Sequence, residues 1–156
     1  MEKGSVVIRR ARPADVKEIQ RLVNFYAERG EMLPRSLSEL YEGVRDFLVF
    51  EEEGEVVGAC ALHIVWEDLA EIRSLAVRES HAHRGIGSGL VRAHLEDAAA
   101  LGIETVFALT YKPDFFRTLG FELIDKSRLP HKIWADCIKC VKFPECDETA
   151  VIWHRE

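Results

Sequence analysis

The sequence predicts an α/β (α+β) fold, a mixed but mostly antiparallel sheet of six or seven strands flanked by about four helices, in one domain spanning residues 1–156. Three observations carry this. Three strand patterns between residues 47 and 77 are joined only by short turns, which makes them antiparallel neighbours. A strand, a glycine-rich loop, a helix and a further strand follow, so the sheet is mixed. And 156 residues suit one domain, able to bury a core without disulfide or metal staples.

The elements follow in order. Val6 to Arg9 reads as an opening strand. Pro13-Ala14-Asp15 starts a helix whose apolar positions Val16, Ile19, Leu22, Val23 and Tyr26 keep helical spacing, with Gly30 as its terminator. Ser36-Leu37-Ser38-Glu39 has the form of a capping box and opens a second short helix to about Val44. Phe47 to Phe50 and Val56 to Val65 are strands around a Glu53-Gly54 hairpin turn, and Glu71 to Val77 is the next. Leu90 to Ala100 reads as a helix stopped at Gly102, Val106 to Leu109 as a strand, and Pro113 to Leu119 as a short helix ended by Gly120. Phe121 to Ile124 resumes strand, and the tail ends in the apolar run Ala150 to Trp153.

Composition narrows the function classes. A net charge of −6 argues against a nucleic-acid binder, which needs clustered Lys and Arg to neutralise phosphates. No stretch approaches the roughly 20 apolar residues of a membrane span, and Met1-Glu2-Lys3-Gly4 leads into no signal-peptide core. The expectation is a cytoplasmic protein without membrane or nucleic-acid partners, whose four cysteines are thiols.

The most informative stretch runs from Ser74 to Leu90, where an apolar strand enters a loop with three glycines and a helix begins. Glycine lets backbone N–H groups approach a ligand closely, and a helix N-terminus adds unpaired donors and partial positive charge. The stretch suits a diphosphate. It lacks the Gly-Lys-Ser/Thr ending of a P-loop and the spacing of the dinucleotide fingerprint.

Arg84-Gly85-Ile86-Gly87-Ser88-Gly89 does resemble the acetyl-CoA loop of the GNAT acetyltransferases, Arg/Gln-x-x-Gly-x-Gly/Ala, and Phe115 to Phe121 resembles that family's late helix-to-strand signature. The resemblance implies the acyl-CoA N-acyltransferase fold, acetyl-CoA as cosubstrate and no required metal. It also implies that backbone groups of Leu75, Ala76 and Val77 pair with pantetheine as an added strand would, that amides from Arg84 to Gly89 hold the pyrophosphate, and that Phe116 borders the cofactor. Arg84 or Arg78 is then either a phosphate partner or a solvated surface charge.

A narrower resemblance is carried by Gly30 to Ser36, Gly58 to Leu62, Glu71 to Val77, Leu109-Thr110 and Leu129 to Trp134. Together these are similar to the acetyltransferase domain of bacterial N-acetylglutamate synthases, the tail resembling the short stand-alone members. That implies transfer of an acetyl group to the α-amino group of L-glutamate, with Arg35 binding substrate and Glu71 as general base. The chemistry is consistent. A dicarboxylic amino acid needs anion sites, and a guanidinium is a planar two-pronged donor for carboxylate. Arg73 either faces the substrate cleft or lies on the polar face of its strand, and Lys132 is a second candidate for a carboxylate. A Glu with an ordinary pKa of about 4.3 is a poor base at neutral pH, so Glu71 is expected to be partly buried. Ser74 binds substrate, orients a water or is structural. Many GNAT enzymes protonate the departing thiolate with a Tyr where this chain has Phe116; glutamate synthases lack that Tyr too, and a thiol of pKa about 8.5 is a fair leaving group.

Cys137-x2-Cys140, with Cys146 after it and His131 before, is half of a common structural zinc pattern. The missing second Cys pair favours reduced thiols. His81 and His83 flank the glycine loop as solvent-exposed residues, and alternation alone does not decide where His63 points. The Trp-containing apolar tail offers an isologous homodimer contact. Against the glutamate reading stand an acetyltransferase for another amino acid, amine or protein N-terminus, and a non-catalytic acyl-CoA sensor.

Overall fold

The computed structural model describes residues 6–129 and 148–155. In chain order the elements are β1 (Val6–Arg10), α1 (Val16–Ala27), α2 (Leu37–Glu42), β2 (Phe47–Glu52), β3 (Glu55–Trp66), β4 (Leu69–Val77), α3 (Ile86–Ala100), β5 (Thr105–Thr110), α4 (Pro113–Arg117), β6 (Glu122–Ile124) and β7 (Thr149–His154). Short 3-10 turns sit at Pro13–Asp15, Val44–Asp46, Glu79–His81 and Lys126–Arg128. The seven strands form one sheet in the order β1-β2-β3-β4-β5-β7-β6, antiparallel throughout except for the parallel β4–β5 pair.

Local chemistry explains most boundaries. Both arms of the Ser36/Glu39 capping box are made, so α2 begins where its sequence signature lies. Glu53 and Gly54 both have positive φ, 52° and 83°, the conformation that lets a two-residue turn match the twist of its strands. One boundary departs from expectation. Helix α3 starts at Ile86 rather than Leu90, because Gly87 and Gly89, poor helix formers in isolation, are carried into its first turn. The tail run Ala150 to Trp153 is the seventh strand, and it inserts between β5 and β6.

Side chains alternate between the two faces of the sheet. On one face Val49, Ala59, Ala61 and Ala76 pack against Val16, Ile19 and Val23 of α1 and Leu40 of α2. On the other, Cys60, Leu62, Ala70 and Ile72 pack against Leu90, Val91 and Leu95 of α3. Gly58 lies beneath α3: a Cβ there would stand 2.9 Å from Ile86 Cγ2 and 3.3 Å from Leu90 Cδ1.

The parallel pair is short. Strands β4 and β5 are in register only from Leu69↔Thr105 to Ile72↔Ala108, although both strands run on. Strand β4 turns away at a bulge: Ala61 faces Arg73 and Ala59 faces Ala76, so Cys60 is opposed by both Ser74 and Leu75. Ser74 has φ 53°, a left-handed conformation uncommon for a residue with a side chain. The sheet therefore parts between two strands near its middle.

Candidate active site

A cavity of about 1150 Å³ occupies this parting. One end is bounded by the first turn of α3 and the loop before it, the other by polar side chains on the α1/α2 face of the sheet.

At the α3 end, Gly85 is the N-cap, with φ 81°. Gly89 N–H donates to the Gly85 carbonyl at 3.0 Å, the first intrahelical bond, which leaves the amides of Ile86, Gly87 and Ser88 ahead of any intrahelical acceptor. All three residues line the cavity with Gly85. Unpaired N–H groups and the positive end of the helix dipole make this an anion site. Phe115 of α4 closes against it, its ring 3.4 Å from where a Cβ on Gly87 would lie, and Phe116 sits behind, buried edge-to-face against both Phe115 and Phe121.

The loop that presents these amides is pinned by Glu52 at the end of β2. One carboxylate oxygen lies 2.9 Å from His81 Nε2, and the other accepts from Arg84 Nη2 at 3.1 Å. Arg84 is thus engaged by protein and half exposed. Arg78 pairs with Glu55 at 3.2 Å and stands 4.0 Å from Glu18, a surface charge in a small network.

Between the two ends, Leu75 and Val77 line the wall where β4 has left β5. Tyr26 of α1 donates its hydroxyl to the Val77 carbonyl at 2.5 Å, anchoring this stretch from behind. Ala76, Arg84 and Gly89 lie outside the wall. Ala76 turns its methyl into the α1 core, and the Gly89 amide is already committed within the helix.

At the polar end, alternation places Glu71 and Arg73 on the same face as Ala61 and His63, their partners on β3. Glu71 is buried, its side chain 12% exposed, and its Oε1 accepts from Arg73 Nε at 2.6 Å. Arg35 comes from the chain entering α2, where Gln20 Nε2 holds its backbone carbonyl at 3.1 Å. The Arg35 Nη1 group donates to Ser74 Oγ at 3.1 Å. Burial pushes the Arg35 guanidinium below its ordinary pKa. Glu39, 3.7 Å away, counters that shift, and Arg73 adds to it. A partly desolvated cation of this kind is a strong receptor for carboxylate. The bulge serves this end as well, since it puts Ser74 under Arg35 two strands from where the chain entered α2.

Glu71, Arg73, Ser74 and Arg35, foreseen from sequence, thus share one wall with Leu75, Val77, Gly85 to Ser88 and Phe116. Lys132, His131, Cys137, Cys140 and Cys146 lie outside the described residues. Among the described residues no group of three or more His, Cys, Asp or Glu is placed to hold a metal, and no helix is long and apolar enough to cross a membrane. Sequence reasoning missed three features. These are the Glu52 clamp, the Tyr26 anchor, and the pair of His63 Nδ1 with Asp46 Oδ2 at 3.3 Å beside Glu71. Each joins residues far apart in the chain, and only the strand register brings them together.

Helix-terminal amides at one end of the parting and a buried carboxylate at the other suit a phosphate-bearing cosubstrate and a proton transfer. Residues 14–121 match the acetyltransferase (GNAT) family, and the chain belongs to it, as an acetyl-CoA-dependent N-acetyltransferase. It is 41% identical over 152 residues to an uncharacterized N-acetyltransferase of Chlorobaculum tepidum, covering 97% of this chain and 98% of that protein. It is 43% identical over 122 residues to an amino-acid acetyltransferase of Mycobacterium tuberculosis, 76% of this chain and 70% of that one. The N-acetylglutamate synthase of Neisseria gonorrhoeae complexed with coenzyme A and N-acetyl-glutamate superposes with a TM-score of 0.89 at 25% identity; the match covers 99% of this chain and 36% of that one.

Proposed function

We propose that this enzyme transfers the acetyl group of acetyl-CoA to the α-amino group of L-glutamate, the N-acetylglutamate synthase reaction that opens arginine biosynthesis, in the cytoplasm. The observation that carries the reading is the convergence of Arg35, Ser74, Arg73 and Glu71 on one end of the cavity, next to the parting of β4 and β5. In this reading acetyl-CoA lies in the parting. Its pyrophosphate meets the amides of Gly85 to Ser88, and its pantetheine meets the open edge of β4 at Leu75 to Val77, as an added strand does. The thioester then faces the polar end.

Arg35 receives a substrate carboxylate, with Ser74 fixing the guanidinium plane. Glu71 takes a proton from the ammonium group, directly or through one water, and Arg73 holds the carboxylate in place. The free amine attacks the thioester carbonyl. As the tetrahedral intermediate collapses, the carbon–sulfur bond breaks and the nitrogen gives up its second proton to the thiolate. Phe116 cannot donate that proton, and the leaving group, with a thiol pKa of about 8.5, needs little help.

The test is CoA release from acetyl-CoA across the common amino acids, with product masses checked and Glu71→Gln assayed in parallel. Glutamate-dependent release is expected, with kcat falling about 10²- to 10⁴-fold in Glu71→Gln. Turnover of another amino acid with glutamate inert overturns the substrate. Binding of acetyl-CoA with no turnover of any amine makes the protein a sensor.

A further inference from the structure

We propose that His63, oriented by Asp46, is a proton relay that drains Glu71 to solvent after each turnover. The inference rests on Glu71 acting as the base. Acetylation of an ammonium group releases one net proton, and a buried base has to pass that proton on before it can act again. Glu71 is poorly placed to do so alone, with a side chain 12% exposed and one oxygen engaged by Arg73.

His63 is the Cα partner of Glu71 across the β3–β4 pair. Opposed side chains on one face of an antiparallel pair have Cβ atoms about 4.5–5.5 Å apart, within reach directly or through one water. Its side chain is 41% exposed, so the step from Glu71 to His63 runs from the interior towards water. The chemistry of the ring agrees. Asp46, in the 3-10 turn before β2, presents Oδ2 3.3 Å from His63 Nδ1. A carboxylate only accepts, so Nδ1 carries the hydrogen and the neutral ring keeps its lone pair on Nε2. His63 borders the cavity and Asp46 does not, so Asp46 takes the nitrogen turned away from the reaction. The sequence balances. The ammonium N–H breaks as Glu71 O–H forms. That O–H breaks as His63 Nε2–H forms, and the imidazolium then releases Nε2–H to water. His63 acts through Glu71 and Asp46 acts through His63.

Three variants of the full chain test this: His63→Ala, His63→Gln and Asp46→Asn, assayed with whichever amino acid the wild type acetylates. His63→Ala is expected to lower kcat about 10- to 100-fold, the modest end of proton-transfer losses, with both KM values within about twofold. Added imidazole should restore much of that rate while leaving the wild type unchanged. His63→Gln, which keeps volume and a donor but cannot carry a proton, should show the same loss, and Asp46→Asn a smaller one. Unchanged kcat, or a loss that imidazole does not rescue, overturns the relay. Nitrogen-15 NMR of the imidazole gives a reading independent of turnover: hydrogen on Nδ1 is expected, and hydrogen on Nε2 refutes the orientation. If Glu71→Gln is inactive while His63→Ala is not rescued, the relay alone fails. If Glu71→Gln is fully active, the base assignment fails first.

Discussion

Gly58→Ala tests how tightly the anion-binding turn is built onto the sheet. The added Cβ would lie 2.9 Å from Ile86 Cγ2. An ordinary carbon–carbon contact is about 3.5 Å, so roughly 0.6 Å of movement is required. Leu90 Cδ1, at 3.3 Å, can swing aside, but Ile86 is buried, and Cγ2 is attached to its branched Cβ, which the backbone carries directly. The first turn of α3 must lift. Overpacking of this size costs about 1–3 kcal/mol, and the lower backbone entropy of Ala returns about 0.5–1 kcal/mol. The net loss is then at most about 2.5 kcal/mol, or up to about 10 °C in Tm for a chain of this length. Because the displaced turn carries Ile86, Gly87 and Ser88, the damage should fall on the cofactor. A misplacement of 1 Å can cost about 100-fold, so a rise of about tenfold in KM for acetyl-CoA is expected, with KM for the amino acid nearly unchanged. Gly89→Ala makes the contrast. Its Cβ would meet only the flexible Ile8 Cδ1 at 3.4 Å, inside a helix that favours Ala, so Tm should rise. Steady-state kinetics with each substrate varied, beside thermal melts, reads all of this. A Gly58→Ala protein with wild-type Tm and wild-type KM for acetyl-CoA, or equal rises in both KM values, refutes the argument.

Two further outcomes are expected. If glutamate is the acceptor, as proposed, Arg35→Ala should raise its KM about 10- to 100-fold, matching the roughly 1.5–3 kcal/mol of a hydrogen bond to a charged group, and Arg35→Lys should recover only part, since an ammonium cannot make the two-pronged contact. His94 of α3 is fully buried; its Nε2–H donates to the Cys60 carbonyl at 2.7 Å, and burial holds its pKa below the ordinary value. The unfolded chain therefore takes up a proton near pH 6.5 that the folded protein refuses, so stability present above that pH is lost as pH falls. Melts between pH 7.5 and roughly pH 5 should show Tm falling as this group removes up to about 1.4 kcal/mol of stability per pH unit, and His94→Gln should flatten the slope. A slope unchanged in that variant assigns the effect to other groups.

What the sequence made legible was local. The Ser36/Glu39 box, the Glu53-Gly54 turn and the helical stripe of α1 are set by residues a few positions apart, and all appear where expected. The glycines of the loop marked where a strand gives way to a helix, although the same glycines hid the true start of α3. Glu71 and Arg73 were legible as charges in an apolar strand. Their ion pair follows from the alternation of that strand, but the contact between Arg35 and Ser74 depends on the bulge at Ser74, and a left-handed serine leaves no mark in the residue pattern. The place of β7 was illegible for a related reason: an apolar run states that a strand will be buried, and says nothing about which edge it joins.

That placement has a consequence for the order in which the protein comes into being. On the ribosome β6 emerges well before β7, yet β7 is its neighbour in the sheet, so β6 waits for a segment made later. Strand β5 meanwhile holds only its short register with β4, its other edge open to any passing strand. Trp153 of β7 packs 3.7 Å from the position of a Cβ on Gly120, the turn that joins α4 to β6. The aromatic wall of Phe115 and Phe116 therefore gains its backing only when residues 149–154 dock. A nascent chain that stalls before that point has both halves of its catalytic pocket in covalent form and neither the edge protection nor the buttress to keep them, which makes this interval of synthesis its most aggregation-prone.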